Sequence, residues 1–204
     1  MAPDNPWLLA GMIIAGGVVA RWWRDDYRAA REGKPVPQAF PGATPADGRT
    51  LLIAAGGALI LLAGETAGEH MLGLTAAQSQ MTVLFGLYTL VAAFGEELVF
   101  RGYLVVENRG RAALIAGIIG ASLGFALLHP FLWVWEGGRL NFRVETKAWF
   151  STAAVFAGSL WFYAVRFLPL NPTRSLLPCI VAHLTKNLGV FAIKYIQGFV
   201  SGWW

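Results

Sequence analysis

Gly95-Glu96-Glu97-Leu98-Val99-Phe100-Arg101-Gly102 closes an apolar run: residues 81–95 hold no charged side chain, and residues 112–128, beyond the next polar stretch, hold none either. Ionisable side chains at membrane depth are expensive and mark functional sites by default. Two carboxylates and an arginine survive there only inside a helical bundle that shields them.

The composition around this stretch agrees with a bundle. The chain has 204 residues, 56% of them hydrophobic and 14% charged, where a soluble domain carries about 25% charged residues. Mean hydropathy is +0.52. The expected fold is all-α: a polytopic membrane bundle of about six helices of ~20 residues, forming a single domain over residues 1–204 with its catalytic core at 80–195. The net charge of +4 fits basic cytoplasmic loops. No basic run with interleaved aromatics points to nucleic acid, so no nucleic-acid partner is expected; the lipid bilayer is. The single cysteine, Cys179, lies in an apolar run and reads as a small buried hydrophobe. The N-terminus, Met1-Ala2-Pro3-Asp4, has no positive region ahead of the first apolar run, which reads as a retained helix rather than a cleaved leader.

The spans are expected at 6–23, 49–64, 79–106, 112–129, 148–167 and 175–198. Asn5 and Pro6 suit the start of the first. Residues 25–31 read as a separate surface helix, and the prolines of 34–47 exclude a continuous helix there. Gly64, Gly68 and Gly73 read as breaks that end the second span, leaving Glu65, Glu69 and His70 at a solvated helix end. Ala112, Ala116, Gly120 and Gly124 form a small-residue stripe expected to pack against another helix. Trp133-Val134-Trp135 and Leu140-Asn141-Phe142 flank Gly137-Gly138, the signal of a β-hairpin within 132–144 at the membrane interface. Trp203-Trp204 reads as an interfacial anchor.

With the N-terminus outside, cytoplasmic segments hold Arg21, Arg24, Arg28, Arg31, Lys34, Arg49, Arg109, Arg111, Arg166 and Arg174, against Arg139, Arg143 and Lys147 outside. The positive-inside rule favours this orientation, with both termini outside.

Two of the three histidines, His129 and His183, fall within these spans. Glu97 and Arg101 are four apart, so an ion pair on one face is expected. Glu96 points about 100° away and is free for other work. His183 and Asn187 are also four apart and share a face. Desolvation disfavours the charged form of a carboxylate or imidazole, and a neighbouring arginine favours the carboxylate. A glutamate tuned this way can act as a general base on water, and two neutral donors, an imidazole N–H and an amide NH2, can stabilise an oxyanion. No serine or cysteine has a nucleophile's surroundings, and no prosthetic group or metal is implied. The set reads as amide hydrolysis by activated water. Two rivals stay open: a zinc metalloprotease built on the same Glu and His residues, and a non-enzymatic membrane scaffold or immunity-type protein.

Glu96-Glu97-x-x-x-Arg101, Phe125-x-x-x-His129 and His183-x-x-x-Asn187, in that order, resemble the three motifs of the CAAX protease and bacteriocin-processing family of glutamic intramembrane endopeptidases. The resemblance implies that Glu96 activates water with help from His129, that His183 and Asn187 form the oxyanion site, and that Glu97 and Arg101 position the catalytic groups. It implies a membrane-anchored protein or peptide substrate, either prenylated and CAAX-like or bearing a C-terminal sorting signal, and, for a prokaryotic member, the cytoplasmic membrane. Segment 131–147 looks like an insertion relative to compact members, and Lys186 sets a positive charge beside Asn187. Counted from a turn at Gly110, Glu96 and His129 lie ~21 and ~28 Å along their helices. That places the site nearer the outer face if 102–111 spans as helix, and nearer the cytoplasm if 102–111 lies along the interface.

Overall fold

The computed structural model describes residues 5–34 and 36–204. The reading of Met1-Ala2-Pro3-Asp4 falls outside them, as does Pro35 of the proline-rich loop. Among the described residues, six α-helices and one hairpin follow in order: α1 Pro6–Arg31, α2 Gly48–Met71, α3 Val83–Glu97, α4 Arg111–Leu128, β1 Trp133–Glu136, β2 Arg139–Phe142, α5 Thr146–Phe167 and α6 Leu177–Ile196. Five are long and apolar enough to cross a membrane: α1, α2, α3 with the turn that follows it, α4 and α5. The sixth, α6, carries His183, Lys186, Asn187 and Lys194. It packs against α2, α3 and α5 at once, which lets its polar groups find protein partners.

The first two helices are longer than expected, for separate reasons. Asn5 Oδ1 accepts from the amides of Trp7 and Leu8 at 3.0 and 3.2 Å and starts α1, which then runs through Trp23 without a break. No glycine or proline interrupts Arg21–Arg31. Buried Trp23 stacks on Tyr27, and Asp26 accepts from the Phe40 amide at 2.8 Å. The separate surface helix at 25–31 is therefore the last part of α1. In α2, Gly64 and Gly68 do not end the helix. A central glycine costs about 1 kcal/mol relative to alanine, but bare positions let α5 aromatics approach. A Cβ at Gly68 would lie 2.8 Å from the Phe150 ring, and one at Gly57 2.1 Å from Trp161. Trp161 also donates to Ala54 O at 3.0 Å. Glu65 and Glu69 consequently lie within α2, facing partners rather than solvent.

Two features place α3. Thr82 Oγ1 accepts from the Phe85 amide at 3.2 Å, so the helix starts at Val83 rather than Ser79. The chain end supplies further acceptors, Gly202 O to Val83 N at 3.2 Å and Trp203 O to Leu84 N at 2.9 Å. At its other end α3 passes into a π-helical turn, Leu98–Tyr103, and helix stops there, short of Val106. From Glu96 the helical path to Tyr103 is seven residues, about 10 Å, so the distance counted back from Gly110 to Glu96 along one helix does not hold, whereas that from Gly110 to His129 along α4 does. Residues 104–110 are irregular, and Val106 meets Gly117 on α4.

The stripe Ala112-Ala116-Gly120-Gly124 is not where α4 packs. A Cβ at Gly120 or Gly124 would touch nothing. α4 uses Ser122, Phe125 and Ala126 instead, because Phe125 enters the aromatic cluster described below. The hairpin forms as expected, with Gly137 and Gly138 at φ 59° and 75° in its turn. Trp203 and Trp204 are exposed.

Candidate active site

Glu97 and Arg101 are fully buried and paired, Arg101 Nη1 to Glu97 Oε1 at 3.1 Å. Arg101 Nη2 donates to Ser159 O at 3.2 Å and Ser159 Oγ at 2.5 Å on α5. The guanidinium carbon lies 4.6 Å from the centroid of Phe125, 4.8 Å from Tyr163 and 5.2 Å from Phe162. Aromatic faces attract a cation, and this cage stands in for part of the lost hydration. The π-turn widens the backbone at this arginine. Tyr163 compensates for the irregularity, its hydroxyl donating to Phe100 O at 2.5 Å. Single π-turns inside helices recur at functional sites.

His183, on α6, joins the two carboxylates. Its Nδ1 lies 2.7 Å from Glu97 Oε1 and its Nε2 3.8 Å from Glu96 Oε2. The ring stacks on Phe162 at 4.6 Å. Since Glu97 Oε1 accepts from Arg101, Nδ1–H is the donor toward it, and Nε2 is the nitrogen that faces Glu96. Adjacent in sequence, the glutamates occupy different surroundings: the Glu97 side chain is 0% exposed and that of Glu96 35%.

Asn187, one turn beyond His183, donates to Thr89 O on α3 at 3.0 Å, leaving its second N–H for another acceptor. His129 lies at the end of α4, with Nδ1 2.8 Å from Phe125 O and its ring stacked on Phe131 at 6.0 Å. Nε2 is therefore its free nitrogen. His129 makes no ion pair with Glu96 among the described residues. Phe125 stands between the histidines, 4.8 Å from His129 and 6.1 Å from His183 by ring centroids. The structure thus joins Glu96, Glu97, Arg101 and His183 directly, brings His129 to the same aromatic cluster through Phe125, and sets Asn187 against α3.

Lys186 turns away from the site. It is buried, and its Nζ lies 2.7 Å from Glu65 Oε2 on α2. Glu69 pairs with Lys147 and accepts from Gln78 at 2.5 Å. Among the described residues, no three His, Cys, Asp or Glu side chains are disposed to hold a metal ion. Cys179 is fully buried in the core. Ser159, Phe162 and Tyr163 were not singled out by the sequence. Ser159 and Tyr163 had one signal, as polar residues inside a mostly apolar α5; Phe162 had none.

A family model described as type II CAAX prenyl endopeptidase Rce1-like matches residues 78–189, more than half of the chain. The chain belongs to that family. The matched span opens before α3 and closes inside α6, so it takes in all three motifs in order and leaves α1 and α2 outside. No curated protein and no solved structure matches the chain. Rce1-like membership makes this a membrane protease by family, with a membrane-embedded protein or peptide as substrate.

Proposed function

We propose that the chain is a glutamic intramembrane endopeptidase in which Glu96 is the general base. The supporting observation is the split between the two glutamates. Glu97 is buried, held by Arg101 and bonded to His183, whereas Glu96 opens from the same wall with its second carboxylate oxygen uncommitted beyond His183. Neighbouring titratable groups in contrasting surroundings are how acid–base roles are divided.

The proposed chemistry assigns these residues as follows. A water between Glu96 and the free Nε2 of His129 loses a proton to the Glu96 carboxylate as its oxygen attacks the scissile carbonyl carbon. The carbonyl oxygen gains the negative charge and accepts from the spare Asn187 N–H and from His183 Nε2–H. An imidazolium at His183 is balanced, since Glu96, Glu97, Arg101 and His183 then sum to zero charge. Glu97 holds Nδ1 throughout, as a carboxylate orients a catalytic imidazole. Collapse of the intermediate breaks the C–N bond, and Glu96 returns the proton to the leaving amine.

The substrate is a membrane-anchored protein or peptide, prenylated and CAAX-like or carrying a C-terminal sorting signal. Both termini lie outside a prokaryotic cytoplasmic membrane, on the ten-to-three bias of basic residues. Comparing membrane-protein C-termini with and without this chain identifies substrate and compartment together. Purified chain in proteoliposomes tests the chemistry. Glu96→Gln and His129→Ala lose peptide hydrolysis by about 10²–10⁴-fold, the range of general acid–base catalysis. Full activity in either variant overturns the assignment. Stoichiometric zinc, with loss of activity to a chelator, transfers it to a metalloprotease.

A further inference from the structure

The hairpin joins the end of α4 to the start of α5, so connectivity holds it beside the ends of two helices apolar enough to cross a membrane. Its register pairs Trp133 with Phe142 and Trp135 with Leu140. Directly paired residues share a face. These four therefore make one apolar face, and Val134, Asn141, Glu136 and Arg139 occupy the other. Trp135, Leu140 and Phe142 are 66%, 46% and 75% exposed. Leu127 and Leu128 at the end of α4 and Trp149 at the start of α5 are exposed and apolar as well. Arg139 and Arg143 stand exposed around it. Tryptophans at headgroup level and arginines beside anionic lipid are the composition of a membrane interface.

The same hairpin is fastened to His129. Trp133 Nε1 donates to Leu127 O at 2.8 Å. The Phe131 amide donates to His129 O at 2.8 Å, and the Phe131 ring stacks on the imidazole with only 14° between planes. Rotating the hairpin about its root carries Phe131, and with it the wall that fixes the imidazole.

We propose that the Trp133, Trp135, Leu140 and Phe142 face seats in the interfacial layer of the bilayer, and that this seating holds His129 in its catalytic orientation. Lipid is the occupant because Leu127, Leu128 and Trp149, on the two helices the hairpin joins, are exposed and apolar as well, and because Arg139 and Arg143, exposed off the apolar face, can reach anionic headgroups beside it. The bilayer is then a part of the site, acting on His129 through Phe131. The His129 half rests on the protease reading above; the lipid seating does not.

The seating is tested by spin-label depth in vesicles of zwitterionic and anionic phospholipid. Cys179→Ala removes the only cysteine, and Phe142→Cys or Asn141→Cys places a label on either face. The Phe142 label should be reached by oxygen and shielded from an aqueous nickel chelate, and the Asn141 label the reverse. Equal nickel access at both overturns the seating, as does spin–spin broadening at Phe142, which would put a second copy on the face. The coupling is tested by turnover. Phe142→Asp should lower kcat about a hundredfold, the cost of a misplaced catalytic group, with KM little changed, while Phe142→Leu keeps wild-type kcat. A raised KM with unchanged kcat overturns the coupling and assigns the hairpin to substrate binding. Absence of peptidase activity in the unmodified chain would refute the protease reading and leave the seating to the depth measurement.

Discussion

Glu97→Gln and Glu96→Gln should fail in different ways, though the residues are neighbours and the change is the same. At position 97 the amide leaves Arg101 with no counter-charge at 0% exposure. Breaking a buried ion pair by removing one partner costs about 3–5 kcal/mol. Two features hold the cost to the lower end. The amide oxygen can still accept one of the bonds that Oε1 now accepts from Arg101 and His183, and the aromatic rings around the guanidinium supply about 0.5–2 kcal/mol of cation–π attraction. A loss of about 3 kcal/mol is expected, together with most of the activity, because His183 loses its orienting carboxylate. At position 96 the side chain is 35% exposed and its nearest charge partner, His183, is 3.8 Å away. Its removal should change stability by less than about 1 kcal/mol and yet abolish turnover. The assay is unfolding by sodium dodecyl sulfate in mixed micelles, read by circular dichroism, beside turnover of a membrane peptide in the same preparation. Equal destabilisation by the two variants would refute the division of roles, as would a Glu97→Gln protein as stable as wild type.

Three further outcomes follow from other contacts. Lys186→Glu and Glu65→Lys should each destabilise the fold by about 3–5 kcal/mol, since each leaves like charges facing across α2 and α6, and the double swap should recover most of the loss; unfolding of the four proteins completes the cycle. Tyr163→Phe removes the hydroxyl that satisfies Phe100 O and should cost about 1–3 kcal/mol, with hydrogen exchange rising first at Leu98–Leu104. Outside the membrane, the bond from the Thr50 amide, at 2.7 Å, holds the Asp47 carboxyl below the usual carboxylate range. Its cap therefore stabilises α2 fully above about pH 4 and is lost as pH falls through its lowered value; an Asp47→Asn protein should lack that part of the acid transition when helix content is titrated.

Pairs of residues on one helix were legible in the sequence, and pairs across helices were not. Glu97 with Arg101 followed from i,i+4 spacing, and His183 with Asn187 was correctly given one helix. The partners across the bundle depend on how each helix is rotated, which spacing does not state. Nothing in α5 marked Ser159 as the acceptor for Arg101. Lys186 looked like an intrusion beside Asn187 because its partner, Glu65, lies more than a hundred residues away, in a stretch taken for a helix end. That misreading came from treating Gly64 and Gly68 as breakers. Within a tightly packed bundle a glycine is as often the place where another helix comes close, and the Phe150 ring against Gly68 is such a place. The end of α3 was misplaced for a related reason: apolar periodicity runs on past Tyr103, while the backbone has already left the helix through the π-turn.

The π-turn explains why the two glutamates can differ so much. In a regular helix, Glu96 and Glu97 diverge by about 100°, enough to send one inward and one sideways, but both remain close to whatever neutralises either. Here both terminal nitrogens of Arg101 are bonded to Glu97 and Ser159, and the guanidinium is enclosed by Phe125, Phe162 and Tyr163. The enclosure requires the chain at Leu98–Tyr103 to widen so that the guanidinium lies under α4 and α5 rather than alongside α3. It also requires Tyr163 to accommodate the irregular backbone by donating to Phe100 O. The arginine's charge is then spent inside the protein, and Glu96 stays partly exposed with His183 Nε2 3.8 Å away. A base that must take a proton from water and later give it back is poorly served by a permanent guanidinium beside it, which would fix it as a carboxylate. On this argument Arg101→Lys, which cannot reach Glu97 and Ser159 together, should do more harm than a conservative charge suggests. It should lower kcat by releasing His183 from Glu97, and the Glu97→Gln and Arg101→Lys losses should be less than additive when combined.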